Sequence, residues 1–247
     1  QLQIWLRTTE GAWGALQVYA WPRISPKTSL AATYQIKPLS LHTRQHVIEE
    51  AALPEMSTLT MGGDFSLSEV HAWVCACLPE VPAKLQAESE DASFTFRNTF
   101  LGTYLQCSYR KCEATFRSDS LTALSVMKEV LTREATSRNK KVSASVDAKY
   151  ETVANLLEKI HLMVEHQLAL DHKVKLIDSL KEVKMQENDG SFLSPEYAEI
   201  LANEESLQRQ LKEQPARLEF LFGIIVDLYV DNFKFKGKNM APHVPKL

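Results

Sequence analysis

No stretch of this 247-residue chain is apolar for long enough to cross a bilayer as a helix. The longest run, "LEFLFGIIVDLYV" at Leu218 to Val230, is broken by Glu219 and Asp227, whereas a spanning helix needs roughly 20 apolar residues. Positive charge is not in excess either. A formal net charge of -3 gives no global field to draw the chain to nucleic acid or to an acidic membrane. Signature motifs are missing: there is no GxSxG, HExxH, P-loop or GxGxxG, so no nucleophile held by a base and no ligand set for a metal can be recognised. Cysteine is scarce, with four residues in two close pairs, Cys75 with Cys77 and Cys107 with Cys112.

What is present describes a globular protein. Hydrophobic residues make up 45% and charged residues 24%, a balance that can bury a core, and the length allows one large or two ordinary domains. The chain opens on Gln1 in the strand-like "QLQIWLR" and closes on "NMAPHVPKL", without a leader pattern, and so reads as a piece of something longer.

Leu2, Ile4 and Leu6 alternate with Gln1, Gln3 and Trp5, the period of a half-buried strand. "ALQVYAW" predicts a second strand and "TYQIKPLSL" a third, with Pro22, Pro26 and Pro38 cutting the segment into short extended pieces. Such strands suit the tail of an immunoglobulin-like β-sandwich whose beginning lies upstream, since a complete one has about seven. "HTRQHVIEEAALPEM", residues 42 to 56, reads as a polar linker or short connecting element.

A second unit follows. "STLTMGG" predicts a strand, and "SLSE" at Ser66 to Glu69 has capping-box spacing ahead of Leu67, Val70, His71, Val74 and Leu78, which fall on one helical face and stop before Pro79. Side chains two apart on a helix diverge by roughly 200°, so Cys75 and Cys77 cannot grip one ion. "SFTFRNTF", "TYLQCSYR" and "CEATFRS" predict an antiparallel meander. A second helix starts from Ser118, Asp119 or Ser120 and turns Leu121, Leu124, Met127 or Lys128, Val130 and Leu131 inward, and "KKVSASV" adds a strand.

From Asp147 the pattern is helical. Val153, Leu157, Ile160, Val164, Leu168, Val174, Ile177 and Leu180 trace a seam along a helix from about 148 to 186, with "ENDGS" as the turn after it. "SPEYAEILANEESLQRQLKEQ" restarts at Ser194 and Pro195, and a third helix starts at Pro215. Short turns between three helices imply an antiparallel bundle. The whole is a multidomain α+β chain with units at 1–52, 53–147 and 148–247.

Candidate chemistry is thin. His42 and His46 have i,i+4 spacing but no evident third ligand; His166 and His172 read as solvated or paired with Glu165 or Asp171, near His161. "RNKK" at Arg138 and "KFKGK" at Lys234 are the strongest basic stretches, the latter read as cations at a helix C-terminus in preference to phosphate recognition. The alternative to a binding role is a metal-binding or thiol-dependent enzyme fragment built on the four cysteines. Trp73 lies on the opposite flank from Leu67 and Val74, either a partner contact or half-covered by a neighbouring strand. The last helix is apolar nearly all round, so Phe220, Phe222, Ile225, Leu228 and Tyr229 are candidates for a subunit contact as well as for burial in the bundle.

"GALQVYAWPRISPKTSLAATYQIKPLSLHTR", "TLTMGGDFSLSEVHAWVCACLPEVP", "FTFRNTFLGTYLQCSYRK", "KLIDSLKEV" and "FKFKGKNM" resemble the C-terminal half of the Bardet-Biedl syndrome 7 family of BBSome subunits, in the same order and over essentially the whole chain. The resemblance implies a β-propeller and coiled coil upstream, then a γ-adaptin-ear-like sandwich, an adaptor-appendage-type platform domain and C-terminal helices. It also implies a non-catalytic, coat-like adaptor without cofactors that carries membrane proteins to and from the primary cilium. The partners implied are other BBSome subunits, the Bardet-Biedl syndrome 2 protein above all, and indirectly an Arf-like GTPase, membrane-protein cargo and the intraflagellar transport machinery. The places implied are the cytoplasm, the cilium, the ciliary membrane through the complex, and the basal body or centrosome.

Overall fold

The structure, a computed structural model, describes residues 11–23, 28–46, 53–85, 89–187, 194–235 and 237–243. The strand expected over Gln1 to Leu6 and most of the turn "ENDGS" lie outside the described residues. Contacts divide the chain into two compact units, Gln1–Val153 and Ala154–Leu247.

In the first unit β1 (Gly14–Ala20) and β2 (Leu30–Ile36) pair antiparallel, from Gly14 opposite Ile36 to Ala20 opposite Leu30. The second of these begins earlier than the pattern suggests and ends before Lys37 and Pro38, because proline brings no donor and biases its neighbour. The remaining strands form a six-stranded antiparallel sheet in the order β3-β5-β6-β7-β4-β8. They are β3 (His42–Gln45), β4 (Ser57–Gly63), β5 (Asp91–Asn98), β6 (Tyr104–Arg110), β7 (Glu113–Ser118) and β8 (Val142–Asp147). The start of the expected linker is therefore corrected: residues 42–45 are an edge strand, His42 opposite Asn98 and Gln45 opposite Thr95. Four residues with one inward side chain, His42, leave no alternation to read.

Period-two burial sorts this sheet. Leu59, Met61, Phe94, Phe96, Leu105, Cys107, Tyr109, Ala114 and Phe116 point to the buried face. The register aligns Ser93, Ser108, Thr115, Thr60 and Ser145 in one row across the other face, a hydroxyl-rich surface suited to water. Helices α1 (Leu67–Cys77) and α2 (Leu121–Ser137) pack on each other and on the sheet. The predicted capping box is present: the Glu69 amide donates to Ser66 Oγ at 3.3 Å and the Ser66 amide to Glu69 Oε2 at 2.8 Å. Of the three candidate caps for α2, Ser120 takes the role, accepting from the Ala123 amide. Ser118 Oγ donates instead to the Tyr104 carbonyl, and Asp119 accepts from the Tyr104 amide, so both hold the start of β6.

The helix α3 (Tyr150–Glu187) is tied to β4 at its first turn. The Lys149 amide donates to Ser57 Oγ at 2.8 Å, the Thr152 hydroxyl donates to the Lys149 carbonyl at 2.8 Å, and the Ser57 hydroxyl is left to donate to Thr152 Oγ1 at 2.5 Å. Ser57 and Thr152 are buried, so water cannot replace a lost partner. Ser57→Ala should cost about 1–3 kcal/mol by stranding the Lys149 amide. Urea titration of the two chains measures it, and equal midpoints would show that the ring contributes nothing.

The second unit holds most of α3, then α4 (Pro195–Ala202) and α5 (Glu204–Phe235), with a 3-10 turn at Ala241–His243. Lys181 meets Glu204 at 2.5 Å while His166 meets Gln214 at 2.9 Å, so α3 and α5 run antiparallel. Two expectations are corrected. Pro215 does not start a helix but lies inside α5, where it removes a single backbone donor, and the break falls at Asn203, whose amide and side chain both donate to the Glu199 carbonyl. The buried seam of α3 is Leu156, Ile160, Leu170, Ile177 and Leu180, with Met163, Gln167 and Val174 half-buried between them. Leu157 and Leu168, expected in that seam, are 50% and 57% exposed. Both stripes are apolar, so periodicity alone does not say which one meets α5.

Candidate interaction surfaces

The thiols sit where the local structure puts them, and burial holds Cys75, Cys77 and Cys107 in the thiol form. On α1 Cys75 is half-buried and Cys77 buried; Cys107 is buried in β6 and Cys112 is exposed in the β6–β7 turn. Burial pushes the Cys77 thiol up to about 12 and raises Cys75; burial, then the neighbouring Cys77, hold Cys107 well above the usual thiol range. A thiol acts as nucleophile or ligand only as thiolate. Cys75 Sγ is 3.7 Å from His71 Nε2, which invites a Cys–His pairing. Yet the Pro82 carbonyl, 2.7 Å from Nε2, can only accept, so Nε2 carries the proton and Nδ1 accepts from the Tyr109 hydroxyl at 2.7 Å. The imidazole therefore offers no lone pair to the thiol. Among the described residues no group of three or more His, Cys, Asp or Glu side chains is arranged to hold a metal.

The other histidines are equally dispersed. β3 is extended, so His42 and His46 are about 13 Å apart along the chain and do not chelate. His42 is fully buried with neither ring nitrogen partnered, and burial lowers its pKa to about 4. His161 meets Glu165 at 3.3 Å, and Asp171 takes Lys175 at 2.6 Å. His166 bonds not to an acid but to Gln214, whose amide donates to the Met163 carbonyl at 2.8 Å. That polar layer fixes the register of α3 against α5. In "RNKK", Lys140 pairs with Glu69 at 3.3 Å and Arg138 with Glu134 at 3.8 Å. Lys234 is exposed at the end of α5; Phe235 is described in its backbone alone, and Lys236 lies outside the described residues.

Trp73 is no outer contact. It is 0% exposed and meets Phe65 edge-on at 5.5 Å between ring centroids. The flank that periodicity leaves over for it is buried, with the Phe65 ring against it. On α5, Leu221 and Ile224 are buried, Phe220, Phe222, Ile225 and Leu228 are half-buried, and Tyr229 is 46% exposed with its ring 4.7 Å from that of Phe233. Two further surfaces are open. One is the outer stripe of α3, with Leu157, Leu168, Leu176 and Val183 all exposed; Leu162 is exposed too, on a different line of the helix. The other is the β1–β2 pair, where Trp13, Tyr19, Trp21, Leu30 and Tyr34 are exposed and Arg133 lies 4.2 Å over the Trp13 ring.

A model of the BBS7 platform domain matches residues 42–147, starting at the edge strand β3, and a model of the BBS7 hairpin matches residues 150–247, starting with α3. Mouse "BBSome complex member BBS7" is 48% identical over 247 residues, which is 100% of this chain and 34% of that protein. The "BBSome complex member bbs-7" of Caenorhabditis elegans is 27% identical over 240 residues, covering 97% of this chain and 33% of its own length. The chain thus spans about a third of the length of these relatives. With an antiparallel sheet domain and a helical hairpin each matched by its own model, and similarity running from end to end, the chain belongs to the BBS7 family.

Proposed function

We propose that this chain is a non-catalytic structural part of a BBSome subunit, acting through protein–protein interfaces in a coat-like complex that moves membrane proteins to and from the primary cilium. The observation that carries the reading is 48% identity, over all 247 residues, to a mouse protein named as a BBSome complex member. The apolar surfaces of α3, α5 and β1–β2 support it, since contiguous exposed apolar side chains mark contact sites more often than solvent faces. Phe220, Phe222, Ile225, Leu228 and Tyr229 are the α5 residues offered as partner contacts.

In this reading residues 1–52 hold the end of a γ-adaptin-ear-like sandwich, apart from β3, which pairs into the sheet of a platform spanning 53–147; residues 148–247 are the helical part. An isolated two-stranded sheet is marginal in water. The exposed aromatics of β1 and β2 therefore fit a sheet that further strands complete. Partners follow from membership: other BBSome subunits, with the Bardet-Biedl syndrome 2 protein foremost, and through the complex an Arf-like GTPase, cargo and the intraflagellar transport machinery. The place of action is the cytoplasm, the cilium and its membrane, and the basal body or centrosome.

The experiment is affinity capture of the full-length tagged protein from ciliated cells, with the other BBSome subunits counted by mass spectrometry. Stoichiometric recovery is the expected result. Recovery of none of them would overturn the reading.

A further inference from the structure

We infer that the outer stripe of α3 docks an amphipathic α-helix of another protein chain, one that carries basic residues along both sides of its own apolar stripe. The inference rests on the proposed role as an assembly subunit and names the kind of partner one face takes.

The stripe is continuous and open. Leu157, Leu168, Leu176 and Val183 are 50%, 57%, 42% and 40% exposed, and Val164 is half-buried among them. With His161, His172 and Ser179 the positions step by four, three, four, four, four, three and four. That is close to an 11-residue repeat, which keeps a row nearly straight along a helix. From Leu157 to Val183 the row is about 39 Å long, enough to seat about seven turns of a second helix. Leu156 and Ile177 in the buried seam lie about 100° round the axis from Leu157 and Leu176 in the row, while Ile160 lies about 40° to 60° from Leu157 and Val164 and is already covered.

Charge selects the occupant. Glu158 and Glu165 flank one side of the row, and Asp171, Asp178 and Glu182 the other. Glu165 is engaged by His161 and Asp171 by Lys175, while Glu158, Asp178 and Glu182 have no ion pair among the described residues. Lys159 and Lys181 lie about 140° or more away round the axis, while Lys173 sits beside Leu176 and Lys175 borders the row with its charge taken by Asp171. A second copy would set these carboxylates against their like, and an anionic lipid surface would meet the same repulsion. A helix with lysine or arginine beside its leucines meets complementary charge on both flanks.

The probe is a synthetic helical peptide with leucines at the same 11-residue spacing and lysines on both flanks, beside a twin carrying glutamates in place of the lysines. Fluorescence anisotropy with the whole chain should show the lysine peptide binding roughly tenfold or more tightly than its twin, and Leu168→Asp should weaken it by a similar factor. Because Leu168 is 57% exposed, circular dichroism and the melting temperature of Leu168→Asp should stay at wild-type values. Equal binding of the two peptides, or binding indifferent to Leu168→Asp, overturns the inference. So does a dimer, seen by sedimentation, that Leu168→Asp dissolves, since the stripe would then belong to a second copy. In cells, full-length Leu168→Asp should recover fewer BBSome subunits. Undiminished recovery overturns the docking inference and leaves the assembly role standing, whereas no recovery with the wild type overturns that role itself.

Discussion

Trp73→Ala should unfold the sheet domain about 3–5 kcal/mol more easily than wild type, the range for truncating a large aromatic in a packed core. Trp73 is 0% exposed and contacts Phe65 at 5.5 Å, so the deleted ring leaves a cavity that α1, α2 and the sheet can close only in part. The measurement is the shift in urea midpoint at unchanged slope. A loss of partner binding with stability intact would instead mean that the residue serves a contact. Trp73→Phe separates volume from polarity. The indole Nε1 is buried without a partner, so phenylalanine removes a stranded donor while keeping most of the ring, and the loss should be clearly smaller than for alanine.

His42 should make the same domain sensitive to mild acid. Burial lowers its pKa from 6.5 to about 4 and leaves neither ring nitrogen partnered, so the folded state holds it neutral. The unfolded chain takes up a proton first as pH falls. The contribution is therefore complete above pH 6.5, is lost progressively below it, and levels off near pH 4. Integrated over that window the loss is about 3 kcal/mol. Carboxylates such as Glu69, whose pKa the Ser66 amide lowers, add their own loss at lower pH, so the comparison is with His42→Leu. The stability difference between the two chains should shift in favour of the leucine variant between pH 6.5 and 4. Parallel curves would show that His42 finds a partner or water in the folded state.

Both residues mark where local pattern stops informing. Sequence alone determined the elements whose cause is local. The capping box at Ser66 and Glu69 starts α1, the alternation of Phe94, Phe96, Leu105, Cys107 and Tyr109 makes strands with one buried face, and the spacing from Val153 onward makes a long helix. It also dispersed the thiols, because a helix at Cys75 and Cys77 turns them apart whatever surrounds it.

The tertiary structure alone decided which of several equivalent faces is covered. Trp73 is core because the folded sheet domain closes over it, and residues 42–45 are a strand because Phe96 and Asn98 on β5 offer an edge to pair with. Pro215 is tolerated within α5, and Leu156 takes the place in the inner seam of α3 expected for Leu157, leaving Leu157, Leu168, Leu176 and Val183 open to a partner. The physical reason is common to all four. Backbone hydrogen bonding and helical or strand period act between near neighbours in the chain, whereas burial depends on what arrives from more distant positions.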